Sequence, residues 1–470
     1  MRKTLPNRRM NRRRFLADCG KMTGIGAMSS LLSLQMTNKL FAQRTAGSIT
    51  DYKALVCVFL FGGNDSYNLL TPAGDQYSEY AETRGILSIP ETDLLSITDA
   101  TISRDFGLSP IVTDLQTMYN EGDLSFVSNV GSLVEPTTIE QFRNKSTALP
   151  YGLFSHNDQV QQWQVSYSTD KTSDVAGTGW AGRILDIIND AANNNATTSV
   201  NLSPYGANIT QVGKSIAPFV TKGGADALDL YTSDTLIKDG IDATLESQYN
   251  SILQAHHNYV REQAMEESFA LEEIEKNTVI NTVFPESSLG QQLLQVAKYI
   301  KANNGTNGPI AKRQSFFVGQ TGYDTHGGGL DVHYNLMTTL NAALSAFNAA
   351  LKEIGFHDEV VTYTASDFGR TFTPNSAGTD HGWGGNQMVM GGPVSGGRVF
   401  GSYPDIALNT STDVGKGRQL PTTSVDELHA SLAYWYGVEN NSEMEEVVPN
   451  IRNYWNSSET EYPIPGLFTS

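Results

Sequence analysis

Cysteine, histidine and positive charge are scarce in this chain, and each shortage excludes something. Two cysteines in 470 residues cannot make a disulfide scaffold. Lys and Arg number 32 against 50 Asp and Glu, a formal net charge of −18. That balance argues against nucleic acid as a partner, because neutralising phosphates needs clustered cations. A hydrophobic content of 39% and a mean hydropathy of −0.29 exclude a multi-span membrane protein. No Gly-x-Gly-x-x-Gly follows a strand, so no dinucleotide-binding loop is indicated. What remains is an acidic globular chain, long enough for one large domain or two to three ordinary ones.

The few cations are unevenly spread. Arg2, Lys3, Arg8, Arg9, Arg12, Arg13, Arg14, Lys21 and Lys39 stand in the first 42 residues against one acid, Asp18. Asn11-Arg12-Arg13-Arg14-Phe15-Leu16 precedes an apolar, small-residue stretch from Met22 to Met36, and Ala42 offers a small residue for cleavage. A basic start, a modest apolar centre and a small-residue exit describe a signal peptide, and the paired arginines resemble a twin-arginine signal. The alternative is an uncleaved amphipathic helix or anchor. The expectation is export by the twin-arginine machinery to the periplasm or beyond, with no stable membrane span after cleavage. The exported body, more acidic than the whole chain, would keep one cysteine, Cys57, inside an apolar run and expected to be buried.

That run, Ala54–Phe61, is apolar at every position and of strand length, which suits a central strand covered on both faces. Further strands are expected at Leu124–Val130, Ser199–Leu202, Ser315–Val318, Glu359–Ala365 and Gln387–Met390. Helices are expected at 110–120, 241–276 and 289–303, and around Leu336, Leu340, Leu344, Phe347 and Leu351. In the 241–276 helix, Leu245, Tyr249, Ile252, His256 and Tyr259 form an apolar stripe, with His256 read as a packed helix histidine. Strand, helix and strand at this rhythm predict an α/β fold with a largely parallel central sheet flanked by helices. A helical, loop-rich, cap-like insertion is expected within 131–305 of a domain spanning 50–440, followed by a polar surface segment, 441–470.

Functional groups in such sheets gather where strands end in loops. Asp65 lies in Gly62-Gly63-Asn64-Asp65-Ser66, and Asp324 and His326 in Gly322-Tyr323-Asp324-Thr325-His326. Asp367 lies in Ser366-Asp367-Phe368-Gly369-Arg370-Thr371, and Asp380 and His381 in Gly378-Thr379-Asp380-His381-Gly382. Asp and His converging from several strand ends are what a divalent cation needs, whether Zn, Mn, Mg or Ca. Taken singly, each is equally a turn former.

Together these four motifs and the leader resemble a bacterial exported family, domain of unknown function 1501, over about residues 50–440. That family in turn resembles the alkaline phosphatase/sulfatase superfamily, which implies an α/β sandwich with metal at the strand ends. The resemblance implies metal ligands at Asp65, Asp324, His326, Asp367 and His381. Two departures stand out: Phe368 follows Asp367 where the superfamily has His, and the spacing from Asp324 to His326 is tighter than usual. His333 is expected to belong to the following helix instead. No Cys-x-Pro-x-Arg occurs, so formylglycine chemistry is excluded.

An esterase of this type also needs a nucleophile at a helix N-terminus. Ser155, in Phe154-Ser155-His156-Asn157-Asp158, is the first candidate and Ser66 the second. Ser155 is equally a helix cap, with Asp158 placed for a capping box. His156 is a ligand or a substrate contact, and Arg370 either grips an anionic substrate oxygen or holds a carboxylate. His429 is read as a structural helix residue. Two functions remain open: an exported metal-dependent hydrolase of small-molecule or polysaccharide phosphate or sulfate esters, and a non-catalytic secreted binding or assembly protein that keeps the fold.

Overall fold

The computed structural model describes residues 48–469 except 100, 103, 170–174, 176, 194–199, 223–230, 232, 247–250, 306–307 and 456–462; the leader expected over 1–42 lies outside the described residues. Among them the central sheet has nine strands: β1 (Lys53–Phe61), β2 (Leu124–Gly131), β3 (Asn201–Ser203), β4 (Phe219–Val220), β5 (Arg313–Thr321), β6 (Val360–Ser366), β7 (Gly385–Met390), β8 (Val399–Phe400) and β9 (Thr423–Ser424). Their order is β8-β2-β7-β6-β1-β5-β3-β4, with β9 also on β2. All pairings are parallel except those of β7, which runs against both β6 and β2.

β1 shows why its sequence is apolar throughout. Ala54, Val56, Val58 and Leu60 enter one core, while Leu55, Cys57 and Phe59 enter another on the opposite face. The first core is closed by α1 (Thr113–Glu121), α4 (Ser288–Ala302) and α5 (Gly329–Ile354), the second by α3 (Trp180–Asn193) and α6 (Val425–Tyr436). A strand burying both faces stabilises the fold by about 1.5–3 kcal/mol per large apolar side chain. Cys57 is buried and free, as its setting in this run implies. No described helix is long and apolar enough to cross a membrane.

The parallel strands β1, β5 and β6 finish at the same edge, at Phe61, Thr321 and Ser366. The loops that follow therefore open side by side. Gly62 sits where they meet: its φ is +119°, and a Cβ there would stand 2.3 Å from the backbone N of Asp324. Between β6 and β7 a two-stranded ribbon, Arg370–Pro374 against Thr379–His381, folds back over the same edge. Helix α2 (His156–Val165) reaches this edge with its first residue.

Two expectations need correction. The segment 441–470 is not merely surface: Met444, Val447, Val448, Ile451, Ile464, Leu467 and Phe468 are buried in the second core, because sparse apolar residues spaced along a polar background turn inward. The 241–276 segment holds parts of two helices, Thr235–Glu246 and Ile252–Asn277, at the periphery. Among the described residues there, His256 and Tyr259 are exposed while Asn258, Ser268 and Leu271 are buried, so His256 is not a packed helix histidine; Tyr249 of the expected stripe lies outside the described residues. Within 131–305, the span expected to contain an insertion, β3 and β4 pair at the sheet edge. His429 is a core residue, its ring stacked 4.2 Å from that of Trp180 and its Nδ1 3.1 Å from Ser166 Oγ.

Candidate metal centre

Four side chains from four separate elements meet at the strand ends: His156 opens α2, Asp324 follows β5, Asp367 follows β6, and His381 ends the ribbon. His156 Nδ1 lies 2.7 Å from Asp367 Oδ2, while Asp367 Oδ1 accepts the Gly62 N–H at 3.0 Å. A carboxylate only accepts, so Nδ1 carries the proton and the neutral ring keeps its lone pair on Nε2. His381 is set the same way, its Nδ1 2.7 Å from the carbonyl oxygen of Phe154, another pure acceptor. The two Nε2 atoms face Asp324 Oδ1, at 3.5 Å from His156 and 3.4 Å from His381. His156 Nε2 is buried without a hydrogen-bond partner.

Two nitrogen lone pairs and a carboxylate oxygen, all within 4.8 Å of one another, thus converge on one point. Two imidazoles with one carboxylate are a donor set suited to zinc and similar ions. His326 stands at the edge of the group: its Nε2 is 2.9 Å from His381 Nε2 and 3.0 Å from Asp324 Oδ1, and its Nδ1 3.4 Å from Asp380 Oδ1.

Neighbouring groups tune the set. Partial burial pushes the Asp324 carboxyl up, but the hydrogen bond and charge of Arg370, with His326 and His156 nearby, outweigh it and hold Asp324 below the usual range. The hydrogen bond that His156 donates to Asp367 raises His156 against the cost of burial. Burial lowers His381, and the His156 and Arg370 charges add to that.

The other sequence candidates fall in different places. Arg370 does not reach for a substrate: its side chain is wholly buried, Nη1 donates to Asp324 Oδ1 at 2.9 Å, Nε donates to Thr379 Oγ1 at 3.1 Å, and Nη2 donates to the Thr379 carbonyl. Asp367, expected as a ligand, instead orients His156, as carboxylates commonly do behind metal-binding imidazoles. Asp65 lies outside the convergent group, because it forms a buried ion pair with Arg84, whose Nη1 also donates to the Thr371 carbonyl at 3.0 Å. Ser66 is buried and its Oγ accepts the Asn386 N–H at 2.7 Å, a structural task. Ser155 is the N-cap of α2, but the capping bond does not form, and its Oγ has no hydrogen-bond partner among the described residues.

Phe368, where the resemblance led to an expected His, is a wall residue. Its buried ring lies 4.9 Å from the ring of His156 and 4.7 Å from that of His381. One imidazole of the group, His156, comes from α2. Its approach depends on Phe154, which holds φ +68°, a strained left-handed conformation for a bulky residue and one that concentrates at functional sites.

The sequence was compared with known proteins. No curated protein matches it. Among solved structures, the chain is similar to the phosphonate monoester hydrolase of Silicibacter pomeroyi (8% identity, covering 87% of this chain and 78% of that one, TM-score 0.37). It is also similar to the PsFucS1 sulfatase of Pseudoalteromonas sp. (10% identity, 94% and 76%, TM-score 0.34) and to the lipoteichoic acid synthase LtaP of Listeria monocytogenes (9% identity, 84% and 74%, TM-score 0.32). The profile of one family, described as protein of unknown function (DUF1501), matches residues 52–447, and the chain belongs to that family.

Proposed function

We propose that this protein is an exported, divalent-metal-dependent hydrolase of phosphate or sulfate esters. The observation that carries the reading is the convergence of His156 Nε2, His381 Nε2 and Asp324 Oδ1, with His156 Nε2 buried and without a hydrogen-bond partner. His156, His381 and Asp324 would hold the ion, with His326 at its side. A cation bound there supplies Lewis-acid polarisation of an ester oxygen and a lowered pKa for a bound hydroxyl or water.

The chain's own residues prepare that point. Asp367 keeps the proton on His156 Nδ1, and the Phe154 carbonyl keeps it on His381 Nδ1, so both Nε2 atoms face the site as acceptors. Arg370 holds Asp324 in place and ionised. Phe368 excludes water from the wall between the two imidazoles. Ser155, with an uncommitted hydroxyl one residue before His156, is the nucleophile in this reading. The basic leader supports twin-arginine export, which places the activity in the periplasm or outside the cell.

Elemental analysis of the purified protein after loading with zinc or manganese, followed by assay on aryl phosphate and aryl sulfate esters, tests the reading. Bound metal with turnover of either ester, both lost in Asp324→Asn, is the expected result. A protein that takes up no metal overturns it.

A further inference from the structure

An anionic ester meets a difficulty here, because the chain carries a net charge of −18 and repels anions at long range. Arg370 does not relieve it, since its guanidinium is buried and committed to Asp324 and Thr379. A second arginine stands at the same place. Arg418 Nε donates to the carbonyl of His381 at 2.8 Å, and its guanidinium carbon lies 4.8 Å over the ring of Phe154. Phe154 in turn accepts from His381 Nδ1, so three residues lock one another in a closed triangle around the site's imidazole. Neither Nη of Arg418 has an acceptor within hydrogen-bonding distance among the described residues, and the residue is only half-buried.

The loop behind it is built to present cations. Asp413 Oδ1 accepts the N–H groups of Gly415 and Gly417, and Gly415, Lys416 and Gly417 all have positive φ, which bends the chain sharply. The loop is fastened to the ribbon that carries Arg370: Phe372 N–H donates to the Gly417 carbonyl at 3.1 Å and Thr373 N–H to that of Lys416 at 3.4 Å. Lys416 is exposed, and its charge helps to hold Asp380, beside His326, below the usual carboxylate range, after the Asn375 and His326 hydrogen bonds to it. Arg418, whose two Nη atoms lack acceptors among the described residues, and Lys416 thus lie beside His381 and Asp380, and an arginine with a free fork is the group that matches a tetrahedral oxyanion.

We propose that Arg418, aided by Lys416, is the anion-binding side of this site and that its ligand is the tetrahedral oxyanion of a phosphate or sulfate ester. The proposal rests on the metal-site reading and adds the residue that grips the substrate. Arg418 binds the two ester oxygens that face away from the metal ligands, and Lys416 contributes charge from further out. Its fixed Nε and its stacking on Phe154 leave little rotamer freedom to lose on binding.

Inorganic phosphate and inorganic sulfate, titrated calorimetrically into the full chain in zinc-loaded and metal-stripped form, test this. Arg418→Gln should weaken anion binding roughly tenfold to a hundredfold, with metal content and Tm kept at wild-type level. Arg418→Lys, which keeps the charge and loses the fork, should fall between. Lys416→Gln, at an exposed position that cannot upset the fold, should weaken binding by roughly twofold to fivefold. Whichever anion binds tighter under this dependence names the ester class. Unchanged anion affinity in Arg418→Gln, or a wild type that binds neither anion, overturns the proposal. A wild type that binds anions through Arg418 but takes up no zinc overturns the metal-site reading alone.

Discussion

Two clusters of the same residue types lie near each other at the strand ends and end up doing opposite things. In one, Asp65 pairs with Arg84, and His333 lies beside them, wholly buried with neither ring nitrogen hydrogen-bonded. Asp65 and His333 face a cavity with room for roughly one water. In the other, Asp324 is also paired with a buried arginine, yet its side chain is 46% exposed and three imidazoles crowd its free side. The two aspartates therefore differ in what faces their second side. The sealed cluster closes its carboxylate off from solvent, whereas the open one turns two imidazole Nε2 atoms toward a half-exposed carboxylate.

Breaking each cluster should separate stability from metal binding. The largest effect is expected from Arg84→Met, which leaves the Asp65 carboxylate buried and unpaired; chemical denaturation should show a loss of about 3–5 kcal/mol, with metal uptake per folded molecule unchanged. Asp367→Asn strikes the open cluster instead. It puts an amide where both oxygens of Asp367 now accept, so a metal titration should show affinity down about tenfold to a hundredfold, while the melting temperature moves little.

The histidines sharpen the contrast further. Burial lowers the pKa of His333, so the folded protein keeps it neutral while the unfolded chain protonates it near pH 6.5. Its contribution to stability is present above that pH and is lost as the pH falls through it. His333→Phe should therefore flatten the acid limb of a stability–pH profile recorded on metal-free protein, and an unchanged limb would remove His333 from this role. The smallest effect is expected at the rim of the open cluster. Gly417 holds φ +70°, and a Cβ there would come 2.5 Å from the Cβ of Phe372. Gly417→Ala should cost about 1 kcal/mol and weaken phosphate binding, because it lifts the loop that presents Arg418.

Much of the architecture was legible because it rests on local pattern. The unbroken apolar run of β1 announced a strand covered on both faces, and Gly-flanked Asp and His residues marked the edge where His156, Asp324 and His381 converge. The pairings were not legible. His156 and Asp367 are 211 residues apart, and Arg84 is one arginine among many with nothing local to assign it to Asp65. The place of His156 beside Asp367 was visible only as a histidine at a helix start. Arg418 had a signal, since glycines on either side of Lys416 mark a sharp turn carrying two cations, but nothing in the sequence tied that turn to His381. The C-terminal segment misled because its composition is polar while seven of its apolar residues, from Met444 to Phe468, are buried.

Metal stoichiometry decides between a site and a coincidence of side chains. Purified protein and a His156→Ala/His381→Ala variant, both loaded with zinc, desalted and analysed for metal, should differ sharply. The wild type should hold close to one equivalent, and the variant, folded by circular dichroism, less than about a tenth. A wild type below about a tenth of an equivalent, or a variant that keeps the metal, would contradict the assignment of His156, Asp324 and His381 as the metal centre.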